Sequence, residues 1–191
     1  MKIEKYKNFD LTDEEVFHTV IENFELGRPD LDELKAFAGR NPRNRSRFCL
    51  HRSVNDRVHE MIIAHPKGAY VRPHKHVGKA ESMLILEGEA DYFLFDDSGS
   101  VESVVEMSAL GMGKPFYKKT APSEYHSFLI RSEWLIFLEV TAGPFNKIET
   151  VFPSWAPQDE EVQQVDQYMK NRFAVLGNTS KPQVSHTEKL L

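Results

Sequence analysis

The stretch Gly68-Ala69-Tyr70-Val71-Arg72-Pro73-His74-Lys75-His76-Val77-Gly78-Lys79-Ala80-Glu81-Ser82-Met83-Leu84-Ile85-Leu86-Glu87-Gly88 holds two imidazoles one residue apart and a carboxylate a short turn later. Side chains alternate across a β-strand, so His74 and His76 project to one face at the separation two imidazoles need to share an ion. Glu81 is expected on the adjoining strand, after a turn at Val77-Gly78-Lys79. His126 falls in a later strand candidate, after the turn-like Ala121-Pro122-Ser123-Glu124, and in a closed barrel that strand can lie opposite the first pair. Three neutral imidazoles and one carboxylate suit a divalent transition metal such as Fe, Zn, Mn, Ni or Cu, with open positions for water or a substrate.

Outward from this stretch, residues 43 to 150 consist of short runs rich in Val, Ile, Phe and Tyr separated by glycine or polar turns, which reads as an all-β segment. Strands are expected near 43–51, 58–64, 69–76, 80–87, 90–96, 101–107, 126–131 and 134–141, the count of a jelly roll or small barrel. On the N-terminal side, Thr12-Asp13-Glu14-Glu15 has the form of a capping box, and Phe17, Val20, Ile21 and Phe24 follow at helical spacing, which predicts one amphipathic helix before Gly27. Asp30-Leu31-Asp32-Glu33 repeats the start signal and predicts a second, shorter helix ending at Gly39. On the C-terminal side, Val162, Val165 and Met169 predict a helix after Pro157, and a polar tail runs from Gly177. The expected organisation is a helical extension over 1–40, a β-barrel over 41–156, and a helix with its tail over 157–191.

The 191 residues suit one domain with short appendages, and 40% hydrophobic with 28% charged residues is an ordinary globular composition. No apolar run approaches the ~20 residues needed to cross a bilayer, and no secretory signal follows Met1, so the expected location is the cytoplasm with no membrane partner. A net charge of −5 argues against nucleic acid as a partner. Cys49 is the only cysteine, so no thiolate-rich cluster can be built from one chain and any metal site is expected to use His and carboxylates; Cys49 itself reads as a small core residue.

Gly, five residues, His-x-His, four residues, Glu, six residues, Gly matches the first motif of the cupin superfamily throughout. The second cupin motif departs from the usual Pro-x-Gly turn: Pro122 stands four residues before His126 and Glu124 occupies part of the turn. Arg43-Asn44-Arg45-Ser46-Arg47-Phe48-Cys49-Leu50-His51, Tyr70-Val71-Arg72-Pro73-His74-Lys75-His76, Gly143-Pro144-Phe145 and Trp155-Ala156-Pro157 together resemble the WbuC-type cupin metalloprotein family over roughly residues 40 to 170. The resemblance implies a double-stranded β-helix and one divalent metal. It also implies an association with bacterial surface-polysaccharide metabolism, where the substrate would be a sugar or nucleotide-sugar.

Parity puts Tyr70 and Arg72 on the face of His74 and His76 if Pro73 introduces no bulge. A buried guanidinium must be paired, so Arg72 is either the salt-bridge partner of an internal carboxylate or a clamp for an anionic ligand. Tyr70 reads as cavity wall. Arg43, Arg45, Arg47, Cys49 and His51 alternate onto one face; Arg43 suits an exposed edge, whereas Arg45, Arg47 and His51 suit either that role or ligand binding at the barrel mouth. Glu133 and Glu139 both flank an apolar strand without the pattern choosing between them, and His18, His59, His65 and His186 lack ligand-like partners. The site fits a metal-dependent enzyme on a small anionic substrate, or a non-catalytic binding or sensor protein with the same cavity. Open strand edges and apolar helix stripes predict a homodimer.

Overall fold

The structure is a computed structural model and describes residues 5–41, 43–159 and 161–174. In chain order the strands are β1 (Lys5–Tyr6), β2 (Phe9–Asp13), β3 (Val16–Thr19), β4 (Ser46–Cys49), β5 (Val58–Pro66), β6 (Lys75–His76), β7 (Glu81–Glu87), β8 (Glu89–Phe95), β9 (Val101–Ser108), β10 (Tyr117–Thr120), β11 (Tyr125–Ile130), β12 (Trp134–Ala142) and β13 (Thr150–Val151). Helix α1 (Arg28–Arg40) lies between β3 and β4, and α2 (Val162–Ala174) follows β13. The described residues up to Ala156 and those from Pro157 form two compact units. Within the second, α2 bears out the C-terminal helix, while the polar tail from Gly177 lies outside the described residues.

One sheet runs β1-β2-β3-β4-β5-β12-β7-β10, and a second runs β11-β8-β9. The bridge from His74 to His126 brings the β6 segment alongside β11, so the second layer reads β6-β11-β8-β9. From β5 to β12 the chain therefore changes layer at every step but β8–β9, giving the layers β5-β12-β7-β10 and β6-β11-β8-β9 of a jelly roll, or double-stranded β-helix. Both layers feed one core: Met61, Ile63, Met83, Ile85, Leu135 and Phe137 from the first meet Tyr92, Met107, Phe128 and Ile130 from the second. Gly88, at the tight β7–β8 link, has φ +90° and packs so close that a Cβ would stand 2.1 Å from the Trp134 carbonyl oxygen.

The first expected helix does not form. Residues 9–19 are the β2–β3 hairpin, in which the Asp13 carboxylate accepts the Glu14 N–H at 2.8 Å, so the apparent capping box is a turn. Phe17 and Thr19 are buried with period two, and β3 pairs in parallel with β4, extending the barrel's own sheet. Only the second helix is present. It begins at Arg28 with Pro29 in its first turn, and Asp30 accepts the Gly27 N–H at 2.8 Å. Its buried Leu34, Phe37 and Ala38 cover the outer face of β4, β5 and β12 together with Phe9, Phe17 and Phe48. The expected strand over 69–76 shrinks to Lys75–His76, because Pro73 has no N–H to give to a ladder. Among the described residues, no helix is long and apolar enough to cross a membrane.

Candidate metal centre

Four side chains converge at one end of the barrel. His74, His76, Glu81 and His126 each offer a ligand atom, all within 4.8 Å of one another, in a group that could hold a metal ion. Two of the four are brought together by backbone pairing, since the His74 N–H donates to the His126 carbonyl (3.1 Å) and the His126 N–H returns to the His74 carbonyl (2.9 Å). His76 is anchored one step on by the pairing of β6 with β13, and Glu81 opens β7.

Each imidazole is held by its Nδ1. His74 Nδ1 meets the Arg72 carbonyl at 2.8 Å, His126 Nδ1 the Glu124 carbonyl at 2.9 Å, and His76 Nδ1 the Thr150 hydroxyl at 3.3 Å. A carbonyl only accepts, so His74 and His126 carry their proton on Nδ1 and present a bare Nε2. Glu81 Oε2 lies 2.9 Å from His76 Nε2, yet Glu81 Oε2 and His126 Nε2 are buried without a hydrogen-bond partner. Lone pairs facing one another across a buried gap are costly, and a shared cation is the arrangement that relieves them. The residues present therefore fit a divalent ion.

Electrostatics point the same way. Burial pushes the His74 imidazole down to about 3, with His126 adding to the effect, so it stays neutral and available as a ligand. Burial would raise the Glu81 carboxyl, but the neighbouring His126 and His76 imidazoles outweigh it and hold the carboxylate ionised. His126 differs: burial would lower it, but the hydrogen bond and charge of Glu81 more than reverse this, so without an ion its Nε2 attracts a proton that a bound cation would displace.

The other expected site residues are dispersed. Arg72 donates through Nη2 to the Ala156 carbonyl at 3.2 Å and the Pro153 carbonyl at 3.4 Å, and its guanidinium lies over the Phe152 ring at 4.8 Å. It ties down the segment after β13, and among the described residues no internal carboxylate pairs with it, while its buried Nε has no hydrogen-bond partner. Tyr70 is half-buried in the irregular segment before Pro73. Arg45 Nε and Arg47 Nη2 reach Glu15 Oε1 at 2.7 and 3.0 Å, and Arg43 joins them at 3.3 Å. The one acid these three arginines share lies in the β2–β3 turn, in a segment whose helical reading hid it. His51 is buried against His59, ring on ring at 4.0 Å, away from the four-residue cluster.

A family described as a domain of unknown function (DUF6016) matches residues 26–107, a span that includes His74, His76 and Glu81 but not His126. No curated protein matches the chain. Solved structures similar to it include a conserved protein with a double-stranded β-helix domain from Klebsiella pneumoniae, at 16% identity and TM-score 0.42 over 52% of this chain and 72% of that one. The capsular polysaccharide assembling protein CapF of Staphylococcus aureus is similar at 14% identity and TM-score 0.45, over 57% of this chain and 31% of CapF. Oxalate decarboxylase of Bacillus subtilis, described with Mn(II) centres, is similar at 18% identity and TM-score 0.41, over 51% of this chain and 24% of that one. This chain's own strand order carries the double-stranded β-helix.

One residue near the cluster was left undecided by its pattern. Glu139 pairs with Met61 on one side and Met83 on the other, and directly paired residues share a face, so Glu139 points into the barrel. Glu133 is exposed. Burial, reinforced by the Glu81 charge, pushes the Glu139 carboxyl up to about 8, against the opposing pull of Arg47. Arg47 itself pairs with Ile63, an inward position, and so lies on the same concave face.

Proposed function

We propose that this chain is a metal-dependent enzyme of the cupin type, holding one divalent transition metal at His74, His76, Glu81 and His126 and acting on a small anionic substrate inside the barrel. The observation that carries the reading is the convergent quartet, half-buried at His74 and His76 and buried at Glu81 and His126, with the imidazole Nδ1 atoms engaged and Glu81 Oε2 and His126 Nε2 left without partners. Such an ion supplies Lewis-acid polarisation of a bound oxygen when present. The chain's own contribution is a carboxyl at Glu139 that is protonated at neutral pH and uncommitted to the ligand set, placed to give or take a proton within the cavity. Arg47 supplies positive charge on the same face for an anionic group. The resemblance to WbuC-type cupins favours a sugar or nucleotide-sugar of bacterial surface-polysaccharide metabolism as the substrate class, and a cytoplasmic setting. A homodimer is supported by the apolar side chains exposed beside and on the open edge strand β10, among them Leu110, Met112, Phe116 and Tyr117.

The alternative is a binding or sensor protein using the same metal and cavity without turnover. Metal analysis of the purified chain and of His74→Ala/His76→Ala tests the centre: the variant is expected to lose one equivalent, and full retention would refute the assignment. A thermal-shift screen of nucleotide-sugars and sugar phosphates on the metal-loaded protein then identifies a ligand. Conversion of that ligand by wild type, with Glu139→Gln still binding but turning over at least about 100-fold more slowly, is the enzyme's signature. Binding without conversion by either protein selects the sensor.

A further inference from the structure

A second set of metal-type ligands lies apart from the barrel quartet. His18 on β3, Cys49 at the end of β4 and His51 just beyond it each offer one ligand atom, all within 4.8 Å of one another. Their convergence follows from the register. His18 and Cys49 are direct partners in the parallel β3–β4 pair, and Cys49 and His51 are two residues apart and so share a side of the chain.

The surroundings of both imidazoles favour ligation. Thr12 Oγ1 donates to the Val16 carbonyl at 3.1 Å, which leaves its oxygen to accept from His18 Nδ1 at 2.8 Å. The Glu60 carbonyl, which can only accept, faces His51 Nδ1 at 3.2 Å. Both rings therefore carry their proton on Nδ1 and leave Nε2 as a bare donor, the arrangement that outer-shell partners impose on metal-binding histidines. Burial, together with the nearby His59, lowers the His18 imidazole and takes that of His51 down to about 4, so both are neutral at pH 7. Met61, the cross-strand partner of Cys49, adds a second sulfur-bearing side chain to the same core cluster. An open cleft of about 490 Å³, lined by Glu22, His51, Arg52 and Asp56 among others, reaches His51 from outside and supplies an entry path.

We propose that His18, Cys49 and His51 form a second metal site, selective for a thiophilic ion of the Zn(II) or Cu(I) class and chemically distinct from the all-nitrogen-and-oxygen barrel centre. Without metal, burial pushes the Cys49 thiol up to about 12, only partly countered by Arg47, so the sulfur is protonated and inert. Binding breaks the S–H bond: the sulfur electron pair passes to the metal and the proton is released to solvent. Affinity therefore falls as pH is lowered.

Co(II) titration of the full-length His74→Ala/His76→Ala variant isolates this site. A thiolate-to-cobalt charge-transfer band in the near ultraviolet is expected to saturate at one equivalent, to vanish in the same background carrying Cys49→Ser, and to be displaced by Zn(II) or Cu(I). His18→Ala/His51→Ala keeps the thiol, and there the dissociation constant should rise at least about 100-fold, since loss of outer-shell partners alone costs 10- to 100-fold. Absence of the band from both wild type and the barrel variant overturns the site. So does a band of unchanged affinity without His18 and His51, or one that disappears with His74 and His76. Only the last of these results bears on the barrel centre, whose own occupancy is read from the cobalt bound without a thiolate band.

Discussion

Glu139 couples the protonation of the barrel interior to folding. Its folded pKa, about 8, stands above the 4.5 of an ordinary glutamate, so between those values the folded chain holds a proton that the unfolded chain has released. Stability then falls as pH rises across the window from about 4.5 to about 8. In chelator-treated protein, urea unfolding at pH 6 and pH 8 should show this loss, and Glu139→Gln, which cannot ionise, should remove the part due to this residue. An unchanged pH slope in the variant would mean that Glu139 is ionised in the folded state. Arg72 illustrates the opposite case, a charged side chain beside the centre whose Nη2 donates to the backbone carbonyls of Pro153 and Ala156, while its buried Nε has no partner.

Among the elements, the β2–β3 hairpin does more than extend a sheet, because its turn delivers Glu15 to the arginines at the start of β4. The Glu15 side chain is 5% exposed, while the Arg43, Arg45 and Arg47 side chains are 45%, 20% and 30% exposed. Removing a buried partner from charges that stay in place is the costly way to break an ion pair. Discounted for the solvent that reaches the arginines, Glu15→Ala is expected to cost about 2–3 kcal/mol by denaturant titration. The loss should persist in high salt, because the carboxylate is shielded from screening ions. At the β7–β8 link, Gly88→Ala places a methyl against the Trp134 carbonyl and demands a positive φ from alanine. A loss of at least about 2 kcal/mol is expected, read as a lower denaturation midpoint with an unchanged slope.

Over the whole molecule, the metal quartet joins parts of the chain far apart in sequence, drawing on the β6 segment, β7 and β11. An ion bound only by the folded state stabilises that state by mass action, by about 2.7 kcal/mol when free metal is a hundredfold above its dissociation constant. Chelation should therefore lower Tm, and restoring the native ion should return it. The same treatment of His74→Ala/His76→Ala should produce a much smaller shift. A chelator-insensitive Tm in wild type would count against a bound structural ion in the barrel.

The local pattern alone determined β5, β7, β8, β9, β11 and β12 of the jelly roll to within a few residues, helix α1 and the His-x-His and Glu81 spacing, because alternation, turn glycines and ligand spacing are properties of short segments. Even so, β10 went unread, as did the N-terminal hairpin: Phe17, Val20, Ile21 and Phe24 fit a helix about as well as a strand, and the choice is made by the β4 edge that pairs with Val16–His18. Tertiary structure alone decided that Glu139 faces inward. The outer face of β12 is as apolar as its inner face, with Ile136 packed under α1 and Phe137 in the barrel core, so no alternation of polarity marks the interior. It likewise decided the fate of the arginines and the meeting of His18, Cys49 and His51. Both are set by which strands pair across the sheet, and that information exists only once the chain has folded back on itself.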